Sequence, residues 1–301
     1  MSKAPDFDTA AVRRAFGRAA STYDAAAVLQ REIGTRMAAR LAYVKINPGV
    51  VLDAGCGTGE AIAPLRTRFA GARVIALDLA LPMVAAAQAR VVQGRTLLER
   101  LLPAAWRGAP DAAPVFVCGD INALPLPPVQ CDLVWSNLAL QWVNDLPRAF
   151  AEIHRVLRVG GLVSFSTFGP DTLREIRTAF AAADGQAHTS RFTDLHDLGD
   201  MLVHAGFADP VMDMEYLTLT YQEPMDLLRE LKALGATHAA KGRFAGLMGR
   251  SRWQLALAGL EALRRDGRIP ATFEVVYGHA WKAPAKRSPE GHPIVHFERG
   301  R

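Results

Sequence analysis

The chain has only three cysteines in 301 residues, and Cys56, Cys118 and Cys131 are too scattered for a disulfide framework or a cysteine-rich zinc site. Its eight histidines include no H-E-x-x-H pair, and His292 and His296 flank Pro293 in a polar stretch, so no metal is expected. No apolar run approaches the ~20 residues of a membrane span. The opening MSKAPDFDTAAVRRAFGRAA lacks the apolar centre of a secretory signal, and Asp6 and Asp8 argue against a transit peptide. A cytoplasmic protein without membrane association is expected. The excess of base over acid, 35 Lys and Arg against 30 Asp and Glu, permits an acidic partner without identifying it.

Half of the residues are hydrophobic and 22% are charged, a balance that suits one large α/β domain. Phe16 to Leu41 has helical periodicity through Tyr23, Ala27, Leu29, Ile33, Met37 and Leu41. After the break at Asn47-Pro48-Gly49, short apolar runs predict strands at 50–54, 73–78, 115–118, 132–136 and 162–166. Helices are predicted between them at 61–69, 82–92 and 147–157, the last ended by Val159-Gly160-Gly161. Such alternation predicts a parallel sheet covered on both faces. Residues 91–114 read as an insertion. Beyond Phe168 come helices at 172–183 and 195–205, then strand-like runs at 214–221 and 273–281 that bracket a helical stretch at 225–265. The expected division is a helical lid over 1–47, a core over 48–221, a basic helical insertion over 222–268, a final core strand over 269–283 and a polar tail over 284–301.

The chemistry concentrates in Leu52-Asp53-Ala54-Gly55-Cys56-Gly57-Thr58-Gly59-Glu60. Glycines there let the chain turn sharply and bring a ligand against bare backbone at a helix N-terminus. The spacing departs from the dinucleotide fingerprint G-x-G-x-x-G, with Glu60 in the third glycine's slot, and no Lys-Ser/Thr follows as in a P-loop. Asp78 ends the second predicted strand 19 residues after Gly59, placed to accept from two ribose hydroxyls. Gly119-Asp120-Ile121 ends the third, where an acid and an apolar side chain suit an adenine amino group and ring face. Ser136-Asn137 ends the fourth. Taken singly, Asp78 or Asp120 could simply cap a helix or turn; four strand ends converging on one crevice are the ligand geometry of an open α/β sheet.

This arrangement resembles the class I S-adenosylmethionine-dependent methyltransferases over residues 48–168. The resemblance implies a Rossmann-like, seven-stranded, mostly parallel sheet with a reversed final strand. It also implies S-adenosyl-L-methionine as cofactor, held by Asp53, Gly55, Cys56, Gly57 and Gly59, by Asp78, Leu79 and Met83, and by Asp120, Ile121, Ser136 and Asn137. Three further segments extend the likeness to about Lys282 and resemble the malonyl-acyl-carrier-protein O-methyltransferases of biotin synthesis: Phe16–Asp24 with Leu29–Glu32, Trp135–Trp142, and Leu231–His238. That resemblance implies malonyl-acyl carrier protein or malonyl-CoA as substrate. It makes Tyr23, Arg31, Trp142 and His238 positioning candidates, with Arg174 and Arg191 weaker ones. The stretch 91–114 is longer than that family leads one to expect.

An acyl carrier protein is acidic. Residues 229–268 hold nine bases against three acids, an excess of +6 that favours an anionic partner, although an ordinary solvated helical face has a similar look. Nucleic acid is not expected, because Ser136-Asn137-Leu138-Ala139 lacks the Asn/Asp-Pro-Pro-Tyr type of motif. Two alternatives stay open. One is methylation of a free small acid or natural product; the other is a respiratory-complex assembly protein of the same fold, which Phe168–Ile176 also resembles.

Overall fold

Seven strands form one sheet in the order β3-β2-β1-β4-β5-β7-β6. They are β1 (Val50–Ala54), β2 (Arg73–Asp78), β3 (Val115–Cys118), β4 (Cys131–Asn137), β5 (Leu157–Phe168), β6 (Ala208–Tyr221) and β7 (Ile269–Trp281). The computed structural model describes residues 8–94, 113–184, 192–234 and 248–284. Strands β1 to β5 pair in parallel, and β7 runs antiparallel between β5 and β6. The reversed strand is therefore as expected.

The strands are apolar because helices cover both faces. On one face, Val51, Val74, Leu133, Leu162 and Tyr277 pack against α3 (Val28–Leu41), α4 (Ile62–Arg68), α7 (Arg174–Asp184) and α10 (Arg250–Glu261). On the other, Leu52, Leu77, Val134 and Phe165 pack against α6 (Leu146–Val156) and α8 (Leu195–His204). Helix α5 (Leu81–Gln93) follows β2, and α9 (Pro224–Ala233) opens the helical stretch between β6 and β7.

The single N-terminal helix read from periodicity is in fact three. Helix α1 (Thr9–Ala19) is capped by Asp8, whose Oδ1 accepts from Ala10 N and Ala11 N; α2 (Tyr23–Ala26) is one turn; α3 follows Ala27. The break falls at Ser21-Thr22, where Thr22 N and Oγ1 both donate to Ala19 O and close a turn instead of continuing the helix. A second correction concerns Gly160-Gly161. These glycines do not stop α6; they lie inside β5, where pairing shifts between Leu157↔Cys131 and Leu162↔Leu133, and Gly160 takes φ +78° in the bulge.

Candidate active site

The carboxyl ends of β1 to β4 meet the N-terminal helices α1, α2 and α3, the segment expected to act as a lid. Gly55 and Gly57 have φ of +87° and +52°, a region that L side chains rarely enter. Gly55 N and Cys56 N both donate to Leu77 O at 2.8 and 2.9 Å, which hooks the turn onto β2. A Cβ on Gly55 would overlap that of Ala139. Gly59 has a different role from the one expected. It lines neither cavity described below, and a Cβ there would stand 2.9 Å from Ala87 Cβ and Ile62 Cδ1. Its bareness serves the packing of α4 against α5.

Two cavities open from this turn and share Tyr23, Gly55, Gly57 and Asn137. The first, about 90 Å³, is lined by Asp78, Leu79, Met83, Asp120 and Ile121 below and by α1 residues Val12, Arg13 and Phe16 above. Phe16 meets Trp142 edge-on at 5.3 Å, so aromatic walls enclose it. Asp78 accepts from Gly57 N through Oδ2 at 2.9 Å and from Ala80 N through Oδ1 at 2.8 Å. Each oxygen keeps a lone pair for a hydroxyl. Asp120 Oδ1 accepts from Asn122 N at 2.8 Å in a tight turn that fixes the carboxylate beside the cavity.

The second cavity, about 340 Å³, lies beneath α3 and is lined by Gln30, Arg31, Asp53, Cys56 and Trp135. Three buried polar atoms of its lining residues have no protein partner: Gln30 Oε1, Asp53 Oδ2 and Trp135 Nε1. Two orphan acceptors on the lining of one cavity suit a cation with several N–H donors. Burial, reinforced by the charge of Asp78, pushes the Asp53 carboxyl up to about 7. Burial also raises Asp78, against the pull of its backbone hydrogen bonds from Ala80, Gly57 and Leu79. The Tyr23 phenol and the Cys56 thiol are held above their ordinary values, chiefly by burial, so both stay protonated at neutral pH.

Among the other expected site residues, Ser136 requires a correction. It is fully buried, its hydroxyl donates to Ala54 O at 2.7 Å, and it lines neither cavity, because that bond holds it against the backbone of β1. Asn137 reaches the site but works as a clamp. Its Nδ2 donates to Gln30 O at 3.0 Å, and its Oδ1 accepts from Ser166 Oγ at 2.7 Å. Arg31 lines the second cavity while Nη1 donates to Asp24 O at 2.7 Å, so its remaining N–H groups stay available. His238 and Arg191 lie outside the described residues. Arg174 is exposed, near Asp171 and Glu175, and lines neither cavity.

Residues 168–176 form a pin between β5 and β7. Gly169 leaves no room for a Cβ beside the Glu274 carboxyl, Asp171 N donates to Glu274 Oε2 at 2.7 Å, and Glu175 accepts from Thr272 N and Oγ1. Packing thus explains a motif that had pointed to another function. Sequence reading passed over Arg90. From α5 it reaches Asp24 on the lid, Glu60 and Thr58 O, tying α2 to the glycine turn.

A protein-family model described as a methyltransferase domain matches residues 52–165. The chain is 50% identical over 290 residues, 96% of either chain, to a malonyl-acyl-carrier-protein O-methyltransferase of Gallionella capsiferriformans. It is 53% identical to one of Nitrosospira multiformis, over 93% of this chain and 91% of the other. Among solved structures, the YcgJ protein of Bacillus subtilis shares the fold with a TM-score of 0.55 at 16% identity, covering 82% of this chain and 98% of that one.

Proposed function

The chain belongs to the malonyl-acyl-carrier-protein O-methyltransferase family, and from that premise we propose that it methylates the free carboxylate of a malonyl thioester carried by acyl carrier protein. S-adenosyl-L-methionine is the methyl donor, and the reaction is an early step of biotin synthesis. The observation that carries the reading is the pairing of near-full-length identity with a cavity system of fitting chemistry: an aromatic-walled cleft over Asp78 and Asp120 beside a pocket of orphan acceptors.

The residues present fit this cofactor. Asp78 would take the ribose hydroxyls, Asp120 and Ile121 the adenine, and Leu79, Met83 and Phe16 the apolar faces between them. Asp53 and Gln30 would accept from the methionine ammonium, and Arg31 would hold the carboxylate. The bound cofactor supplies a methyl group already activated by its sulfonium. Gly55 and Gly57 allow close approach of backbone, and Cys56 lines the methionine end as a protonated thiol.

A malonyl carboxylate is ionised at neutral pH, with an acid pKa near 4 for the class, so no general base is required. The protein's task is alignment and exclusion of water, which supplies up to about 7–11 kcal/mol in favourable cases. Tyr23, with its phenol neutral, and Trp142 close the cavity over the reacting atoms. Esterification then removes the charge that would bar the chain from fatty-acid elongation. Among the described residues no helix is long and apolar enough to cross a membrane; a cytoplasmic enzyme fits its substrates.

The test is incubation with labelled S-adenosylmethionine and, separately, malonyl-acyl carrier protein, malonyl-CoA and free small acids. A base-labile methyl ester on the carrier-bound chain is expected. Label in esters of free acids alone would refute the carrier reading.

A further inference from the structure

Resting on the carrier-protein reading, we infer that the carrier docks on the lid as well as on the helical insertion, across one basic surface made by the last turns of α1 and α9. The two turns are held together: Thr22 Oγ1, just past α1, lies 3.2 Å from Ala233 O at the end of α9, and α2 packs on α9. This contact brings Arg18 of α1 into the neighbourhood of Lys232 of α9, each in the last turn of its helix. Both are exposed, and among the described residues neither makes a hydrogen bond or ion pair through its side chain.

The local acids do not cancel them. Asp24 is engaged by Arg90, and Asp226 by Arg229. Glu230 lies against the Tyr221 hydroxyl. Helix α1 itself carries Arg13, Arg14 and Arg18 and no acid. Part of the preference for Arg18 and Lys232 is local, because a cation complements a helix C-terminus. That does not explain why two such ends are joined next to a cavity mouth. Arg13, also exposed, lines the first cavity. An acidic carrier on this surface would therefore stand at the entrance its thioester arm must use, and unpaired surface cations of this kind steer encounter.

Docking across Thr22–Ala233 would also hold α2 against α9 as it stands here. Carrier and cofactor then favour the same arrangement of α2, and the carrier should slow cofactor release.

The experiment compares two thioester substrates, malonyl-acyl carrier protein and malonyl-pantetheine, with the Arg18→Glu/Lys232→Glu double variant and the Arg18→Lys/Lys232→Arg control. The reversal should raise KM for the carrier substrate by roughly tenfold or more and leave KM for malonyl-pantetheine within about twofold. The control should match the parent. A reversed variant with unchanged carrier KM overturns the inference, as does one in which both KM values rise together, which would indicate a disturbed site. If the parent methylates neither thioester, the proposed function fails instead.

Discussion

Asp78 and Gly57 are joined by a hydrogen bond of 2.9 Å in which the carboxylate accepts the amide of the very turn it faces. The bond ties the end of β2 to the glycine loop of β1, so one side chain shapes the loop and, in the proposed reading, would also supply the acceptor for a ribose. Replacing Asp78 by Ala removes the acceptor of backbone N–H groups, Gly57 N and Ala80 N among them, and would leave ligand hydroxyls unpaired. Affinity for S-adenosylmethionine should fall by about 2–4 kcal/mol. Titration calorimetry checks this, with the unfolding midpoint measured alongside to separate loop damage from lost contacts. Unchanged affinity would remove Asp78 from the site.

Two glycines with nearly the same backbone should respond differently to alanine. Gly55 has φ +87° and no space for a Cβ beside Ala139, whereas Gly71 has φ +84° and nothing within 4 Å. Gly71→Ala should cost about 1–2 kcal/mol, the left-handed strain alone. Gly55→Ala adds an overlap between two turns that cannot both shift, and should cost about 3 kcal/mol or more. Urea unfolding of the two variants gives the difference directly. Equal losses would mean that β4 and the glycine turn yield easily.

What could be read beforehand follows from range. The strand runs, Asp53, Asp78 and Asp120 were legible because apolar pattern, glycine spacing and the acid after a strand are local signals. Periodicity did not reveal the break at Thr22, since the apolar positions keep their rhythm across it while one hydroxyl closes the turn. Gly59 and Ser136 stood in the right motif, but Gly59 serves helix packing and the Ser136 hydroxyl is spent on the backbone of β1. Gly160-Gly161 looked like a helix stop because a bulge needs the same glycine freedom. Gln30, noted only as part of a resembling segment, and Arg90 had no local signal for these roles; only folding brings α3 and α5 to the glycine turn.

The carboxyl of Asp53 gives the site a pH signature. Its pKa is pushed up to about 7 by burial and by Asp78, while an unfolded aspartate titrates near 3.9. Between those values the folded chain keeps a proton that the unfolded chain has lost. Stability from this group therefore declines as pH rises from about 4 to about 7 and levels above it. Asp53→Asn should flatten that slope and, without cofactor, be more stable than the parent at pH 8. Binding an ammonium beside Asp53 favours the carboxylate, so cofactor binding near pH 6–7 should release a proton. Calorimetry in buffers of different ionisation enthalpy measures that release, and its absence would place the ammonium elsewhere.

Arg90 offers the test of whether the lid is latched. Its guanidinium meets Asp24 at 2.5 Å, Glu60 at 2.8 Å and Thr58 O at 2.9 Å. The three side chains are 36–54% exposed, so solvent screens the pairs and their joint contribution to folding should stay near 1 kcal/mol. Their effect on the lid is of another kind. Without Arg90, α2 keeps only the bond from Thr58 Oγ1 to Asp24 as its polar tie to the glycine turn, and the hold on Tyr23 over Gly57 is weakened. Arg90→Met should leave the unfolding midpoint within a few degrees of the parent and speed cofactor dissociation several-fold. Stopped-flow displacement of bound S-adenosylhomocysteine reads that rate. A variant with unaltered dissociation would show that apolar packing of α1 and α3, through Val12, Phe16 and Ile33, is what keeps the lid shut.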